Sequence, residues 1–247
     1  MIVIKTEPEL ELMRASARIL KETFDEVGKN VRPGVTTGEL DAIAEDYIRS
    51  HEGIPAFKGY QGFPGTICSS VNEQVVHGIP GPRELEEGDI IGVDMGVIHR
   101  EFYSDATRTY AVGEVSNEAR QLMRVTKEAL DLGIDKVRPG NHLSDISHAV
   151  QKHAESHGYS VVKVLVGHGI GRRMHEEPQI PNFGPPGQGP ILKPGMVLAL
   201  EPMVNAGASN VLTLEDNWTF VTVDGKLSCH FEDTVAVTDA GPEILTR

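Results

Sequence analysis

The sequence predicts an α/β (α+β) chain in which antiparallel sheet flanked by helices is built twice. Three observations point there. Val31-Arg32-Pro33-Gly34 returns as Val137-Arg138-Pro139-Gly140, an offset of 106, and Ser50-His51 returns at the same offset as Ser156-His157. Two apolar strand segments each run into a carboxylate: Gly88-Asp89-Ile90-Ile91-Gly92-Val93-Asp94 and Gly195-Met196-Val197-Leu198-Ala199-Leu200-Glu201, at an offset of 107. Helix starts with recognisable caps surround them. A repeat that carries an acid at matched positions predicts an internally duplicated fold with a ligand from each half near a pseudo-two-fold axis.

The elements follow in order. Thr6, Pro8 and Glu9 open a helix to about Gly28, with Leu10, Met13, Ala17, Leu20, Phe24 and Val27 as its buried stripe. Thr36 with Glu39 forms a capping box for a second helix, in which Leu40, Ile43 and Tyr47 match Ile146, Ala149 and His153 of its counterpart. Ser116 precedes a further long helix, about Asn117 to Lys136. The Gly- and Pro-rich segment from Asn182 to Pro190 is an ordered loop. No composition shift marks a domain boundary, so the expectation is one catalytic domain, 1–247, of two pseudo-symmetric halves (about 1–115 and 116–247).

Composition narrows the class. At 247 residues and 39% hydrophobic content the chain can bury a large core. No run approaches the ~18–20 apolar residues that span a bilayer, and the N-terminus shows no secretory signal. Cys68 and Cys229 are too few for a disulfide framework or a cysteine-rich metal site, and a cytoplasmic protein is the simplest expectation. A formal net charge of −13 argues against general nucleic-acid binding, although charge alone does not exclude a specific ribosomal contact.

Part of that acidity has a chemical use. Asp94, Asp105, Glu201 and Glu232 with His168 offer four carboxylates and one imidazole. Oxygen-rich ligands with a single nitrogen suit two hard or borderline divalent cations better than a structural zinc. Such a pair generates a bridging hydroxide at neutral pH, aimed at a carbonyl, so the expectation is a dinuclear metallohydrolase. A hairpin centred on His99-Arg100 pairs residues whose numbers sum to 199 and sets Asp94 opposite Asp105, within ~5 Å at the backbone. Two acids on an exposed hairpin are the alternative, and the apolar strand leading into Asp94 argues against it.

A second hairpin is expected around Asp224-Gly225, a type I′ signal between residues 218–223 and 226–232. Its register places Glu232 opposite Asn217 and beside Trp218. Trp218 then walls a pocket or is simply core. His77-Gly78-Ile79 echoes His168-Gly169-Ile170, and glycine after each imidazole lets backbone approach a substrate closely. His175, seven residues after His168, is either a solvated turn residue or a catalytic one.

These segments together resemble a known family. Asn72-Glu73-Gln74-Val75-Val76-His77-Gly78-Ile79-Pro80, the Asp94 and Asp105 segments, His168-Gly-Ile-Gly-Arg-Arg-Met-His175-Glu-Glu-Pro178, Glu201-Pro202-Met203 and Phe231-Glu232-Asp233-Thr234 are similar to the type I methionine aminopeptidases, in the same order along essentially the whole chain. The resemblance implies the pita-bread fold. It also implies two divalent ions (Co, Mn, Fe or Zn), one held by Asp105, His168, Glu201 and Glu232 and the other by Asp94, Asp105 and Glu232. A bridging hydroxide then attacks the carbonyl of an N-terminal methionine, with Glu201 as proton acceptor, His175 on the oxyanion and His77 at the scissile amide nitrogen. By position it nominates Phe57, Tyr60, Phe63, Cys68, Met174 and Trp218 for the methionine pocket, where Met174 departs from a place often taken by an aromatic. The implied partners are N-terminal segments of nascent proteins, with possible ribosome proximity, and the implied state is a monomer.

Two alternatives are defined by the same residues. Tyr103-Ser104-Asp105-Ala106-Thr107-Arg108-Thr109 also resembles the Xaa-Pro aminopeptidases and prolidases, which share fold and ligands. Those relatives carry a sizeable N-terminal domain, whereas thirty residues precede Val31 here. The short Glu201–Glu232 interval leaves no room for the insertion of type II methionine aminopeptidases, and no N-terminal zinc-finger extension is visible. Non-catalytic relatives that bind peptides tend to have lost ligands, and all five positions are present here.

Overall fold

Each helix of the chain begins where a side chain closes its free amides. In the computed structural model, which describes residues 1–247, α1 spans Glu7–Gly28 and Thr6 N–H donates to Glu9 Oε2 (3.0 Å), with Pro8 in the first turn. α2 spans Thr37–Ser50, where Glu39 N–H donates to Thr36 Oγ1 (3.1 Å) and the Glu39 carboxylate returns to Thr36 N–H (2.8 Å). α3 spans Asn117–Ile134, capped by Ser116, and α4 spans Leu143–Ser156, capped by Asp145 on His142 N–H (2.8 Å). All six stripe residues expected for α1 are buried. None of the helices is long and apolar enough to cross a membrane.

The strands form four antiparallel sheets, and two of them carry the site. In one, strand Ile90–His99 lies between Ile67–Val71 and Phe102–Ala111. In the other, Val197–Leu200 lies between Val166–Gly169 and Asp233–Thr238. Side chains alternate across a strand, so Val93 packs with α1 and α2 while Asp94 turns to the opposite face. Leu200 and Glu201 divide in the same way, Leu200 entering the core under α3 and α4.

The duplication is explicit in the contacts. Gly34 and Gly140 both take a left-handed φ (84° and 89°), and their N–H groups donate to the carbonyls of Leu85 (2.8 Å) and Leu192 (3.1 Å). Leu40 and Ile146 are buried, and Ile43, Tyr47, Ala149 and His153 are half-buried at the matched positions. The pairs Ile90↔Ala111 and Val197↔Ala236 are equivalent (197 − 90 = 107; 236 − 111 = 125), so Thr107 and Glu232 occupy equivalent places. These two residues pair with each other, Thr107 N–H to the Glu232 carbonyl (3.3 Å) and Glu232 N–H to the Thr107 carbonyl (3.0 Å). A bridge between equivalent residues marks the pseudo-two-fold axis.

Two expected registers are corrected. The first hairpin turns on Arg100 and Glu101, both at positive φ (47° and 70°), and pairs His99 with Phe102. Asp94 therefore faces Thr107, and Asp105 faces Gly96. Asp94 and Asp105 are diagonal neighbours rather than opposite, but an even shift keeps both on one face. The second expected hairpin does not form. The chain turns on Val223 and Asp224 instead, with Gly225 N–H donating to the Thr222 carbonyl (3.4 Å), and Phe220–Thr222 pairs with Val211–Thr213 and Gln74–Val76, while Ser228–His230 pairs with Met203–Asn205. Asp224 spends its carboxylate on the Ala208 and Lys226 amides, which sends the chain from one sheet into another.

The N-terminal segment is fastened by a buried ion pair, Lys5 Nζ to Glu176 Oε2 at 2.8 Å, with both side chains 3% exposed. Removing one partner leaves a buried charge without compensation. Lys5→Met is expected to cost about 3–5 kcal/mol, a fall in Tm on the order of 10 °C for a chain of this size. A Tm within about 2 °C of the parent in a thermal melt contradicts this.

Candidate metal centre

The five predicted ligands come from five places in the sequence and arrive on one inner surface. Asp94 and Asp105 belong to the strands Ile90–His99 and Phe102–Ala111. His168 lies on Val166–Gly169, opposite Ala199. Glu201 directly follows Val197–Leu200, and Glu232 directly precedes Asp233–Thr238. One donor atom each from Asp105, His168 and Glu232 lies within 4.8 Å of the others. His168 Nε2 is 3.8 Å from Asp105 Oδ2 and 3.7 Å from Glu201 Oε1. His168 Nδ1 contacts the Gly169 carbonyl at 2.9 Å, and an N–H there leaves the Nε2 lone pair facing the carboxylates.

The electrostatics are those of a site built for cations. Asp94 Oδ1, Asp105 Oδ1 and Glu232 Oε1 are buried without a hydrogen-bond partner. Burial pushes Asp94 up to about 7. Asp105 is held well above the carboxylate range by burial and by the charges of Asp94 and Glu201. Glu201 is raised by burial and Asp94, and Glu232 by burial, Asp105, Glu201 and Asp94. His168 is lowered to about 4, first by burial and then by His175, so it is neutral at physiological pH and free to offer a lone pair. Unpaired charges of this kind are costly to bury. Two divalent cations reverse the sign of each of these interactions, and four carboxylates with one imidazole are a donor set such ions accept. The residues fit the group.

Two participants were not anticipated from sequence. Thr107 Oγ1 donates to Glu232 Oε2 at 3.0 Å, orienting that carboxylate. His230 Nε2 is buried without a hydrogen-bond partner, 4.0 Å from Glu201 Oε2, and burial lowers the imidazole to about 3. The usable signal for His230 is the strand period, which puts it on the same face as Glu232, whereas the repeat offsets of 106 and 107 do not reach from Thr107 to Glu232.

Beside the carboxylates lies a cavity of about 170 Å³. Phe57, Tyr60, Phe63, Cys68, His77, Met174, His175 and Trp218 all line it, together with Gln61. Half-buried Trp218 stands edge-on to Phe63, ring centroids 5.1 Å apart, and Glu232 lines the same cavity although no hairpin joins the two. His175 stands at the mouth, with Nδ1 2.8 Å from the Tyr60 hydroxyl and its ring 4.4 Å from that of His168. His77 sits at positive φ (59°), edge-on to Trp218 and Phe220.

The glycines after His77 and His168 serve a purpose other than the expected one. A Cβ on Gly78 lies 2.1 Å from the Ser69 carbonyl oxygen, and one on Gly169 lies 2.2 Å from that of Glu177. Neighbouring backbone, not substrate, demands them. Gly169→Ala is expected to lose about 1–3 kcal/mol in chemical denaturation and to weaken metal binding by displacing His168. Unchanged values of both contradict that role.

Fold and basin define a class, the pita-bread metallohydrolases. The chain belongs to metallopeptidase family M24, whose profile matches residues 11–239. It is 54% identical to a methionine aminopeptidase of Clostridium perfringens over 246 residues, covering 100% of this chain and 99% of the relative. It is 53% identical to methionine aminopeptidase 1 of Bacillus subtilis, covering 100% of both. Among solved structures, methionine aminopeptidase from Rickettsia prowazekii superposes with a TM-score of 0.99 at 45% identity and full coverage of both chains. A prolidase from Pyrococcus furiosus superposes with a TM-score of 0.81 at 23% identity, covering 99% of this chain and 65% of the prolidase, which shows the shared fold.

Proposed function

We propose that this protein is a metal-dependent methionyl aminopeptidase that removes the N-terminal methionine from newly made proteins and peptides. The observation that carries the reading is the full-length likeness to methionine aminopeptidases, joined to a cavity of about 170 Å³ in which Asp105, His168, Glu201 and Glu232 face Phe57, Phe63, Met174 and Trp218. The chain acts as one catalytic domain of two halves, about 1–115 and 116–247. One cation is assigned to Asp105, His168, Glu201 and Glu232, and the other to Asp94, Asp105 and Glu232, with Asp105 and Glu232 shared. Those ions supply Lewis acidity and lower the pKa of water to near neutrality.

The chain's own residues do the rest. Phe57, Phe63, Cys68, Met174 and Trp218 receive the methionine side chain, whose thioether is recognised by shape and soft contacts. Glu201 accepts the proton from the attacking water and returns it toward the leaving amine. The Tyr60 hydroxyl on His175 Nδ1 leaves the far nitrogen, Nε2, to donate to the substrate carbonyl oxygen as charge develops there. His77, lowered to about 4 chiefly by burial and secondarily by His175, stays neutral and contacts the scissile amide nitrogen. The protein is expected to work as a cytoplasmic monomer on nascent N-termini near the ribosome.

His175→Ala is expected to lower kcat about 10²- to 10³-fold, the usual cost of losing one oxyanion donor. Unchanged turnover and KM remove that assignment. The function is tested by release from Met-Ala-Ser and Ala-Pro-Ser on Mn-loaded protein beside a metal-stripped control. Free methionine from the first peptide alone, absent in the control, supports the reading. Cleavage of only Ala-Pro-Ser moves the protein to the proline-specific branch, and release from neither peptide makes it a peptide-binding relative.

A further inference from the structure

We propose that the outer face of the α3–α4 pair holds a second, separate metal site, in which Glu128, His153 and His157 bind one imidazole-seeking divalent cation such as Zn²⁺, Ni²⁺ or Cu²⁺. One donor atom from each of the three lies within 4.8 Å of the others. None of them lines the cavity of the carboxylate basin. The site stands on its own geometry and is independent of the reading given above for the buried centre.

The local structure prepares these residues as ligands. His153 is in the last turn of α4 and His157 caps it one turn later, which places both imidazoles on one side of the helix. Their ring centroids are 4.6 Å apart. His157 Nδ1 lies 2.9 Å from the His153 carbonyl, and an N–H there leaves the Nε2 lone pair free. His153 Nε2 already sits 3.0 Å from Glu128 Oε2, across from α3. A tetrahedral ion with bonds near 2.0–2.1 Å sets its ligand atoms about 3.3 Å apart, so small side-chain rotations suffice and the fourth position is left to water. The competing partner of Glu128 is Arg124, at 2.7 and 3.0 Å, in an exposed pair of the weak kind.

The duplication provides an internal control. At an offset of 106 the residues Glu22, Tyr47 and His51 occupy the same places on α1 and α2 (128 − 22, 153 − 47 and 157 − 51). The scaffold is the same: Tyr47 and His51 stack at 4.1 Å, His51 Nδ1 lies 2.8 Å from the Tyr47 carbonyl, and the Tyr47 hydroxyl donates to Glu22 Oε2 at 3.3 Å. The Tyr47 phenol can only donate to its glutamate, whereas His153, which donates Nε2–H to Glu128 without a metal, can give up that proton and turn the same nitrogen into a ligand. Both halves are hydrogen-bonded trios, and only the second can exchange its hydrogen bond for a metal ion.

The test uses full-length protein with its buried centre loaded with Mn²⁺, dialysed against about 10 μM free Ni²⁺, with nickel counted per chain. The parent is expected to hold one more nickel than His153→Tyr or His157→Ala, and nickel is expected to raise the parent's Tm more than theirs. His153→Tyr carries the residue already accommodated at the equivalent position, and exposed His157 decides the matter alone if the first variant fails to fold. Methionine release by Mn-loaded protein is expected to be unchanged in both. Equal nickel counts in the parent and the variants overturn the proposal.

Discussion

Glu201→Gln is expected to reduce methionine release from Met-Ala-Ser by at least about 10³-fold while leaving the metal-stripped protein as stable as the parent. The substitution keeps the volume of the side chain and removes only its capacity for charge. Glu201 lies 3.7 Å from His168 Nε2 and 4.0 Å from His230 Nε2, so its carboxylate is placed both to hold a cation and to take a proton. Loss of a positioned general base alone costs about 10²–10⁴ in rate, and loss of a ligand adds to it. The stability readout has a different sign. Burial and the charge of Asp94 raise Glu201 well above the carboxylate range in the absence of metal, and a neutral amide there imposes no new repulsion. A fall in activity that tracks a fall in Tm points to misfolding and contradicts the assigned role. A separate loss of activity, with weaker metal binding, supports it.

Metal removal is expected to make stability fall steeply with rising pH. Asp94, raised to about 7, and Asp105, Glu201 and Glu232, each raised well above the carboxylate range, keep protons in the folded state that the unfolded chain has already released. A carboxyl with a raised folded pKa contributes stability below its unfolded pKa and loses it as pH rises through the folded value. Buried His77, His168 and His230 have lowered pKa values and act in the opposite direction, but only below about 6.5. The window from pH 6.5 to 8 therefore isolates the carboxyls. Each one still protonated in the folded state costs about 1.4 kcal/mol per pH unit across it. Bound cations neutralise the same groups, and saturation at 100-fold over Kd adds about 2.7 kcal/mol per site. Thermal melts with EDTA and with Mn²⁺ are expected to diverge as pH rises. A metal-free Tm that is flat or increasing over this window contradicts the electrostatic account of the basin.

What was legible in the sequence was what depends on local chemistry or on period. The caps at Thr6 and Thr36, the α1 stripe and the repeat at 106 are one-dimensional signals, and the fold reproduces them. The five candidate ligands stand out in the sequence because each ends or occupies a strand beside a turn, and the fold brings them to one surface. Register was harder. Arg100 and Glu101 take left-handed conformations without glycine or asparagine, so nothing in the sequence marked that turn over His99-Arg100. The resulting error was even, which is why Asp94 and Asp105 still share a face. The Asp224-Gly225 signal marks a real change of direction with a false pairing, because Phe220–Thr222 takes Val211–Thr213 and Gln74–Val76 as partners and Ser228–His230 takes Met203–Asn205. His230 and Thr107 were missed because each lies close to its acid through the fold, which a list of acids does not reveal.

The most direct measurement is a titration of metal-stripped protein with Mn²⁺, following bound ions and methionine release on the same samples of parent and Glu232→Ala. The expected result is a release that rises with loading toward two ions per chain in the parent, and neither that loading nor that release in the variant. Methionine release by the metal-stripped parent, or two bound ions and full activity in Glu232→Ala, contradicts a catalytic centre built on these carboxylates.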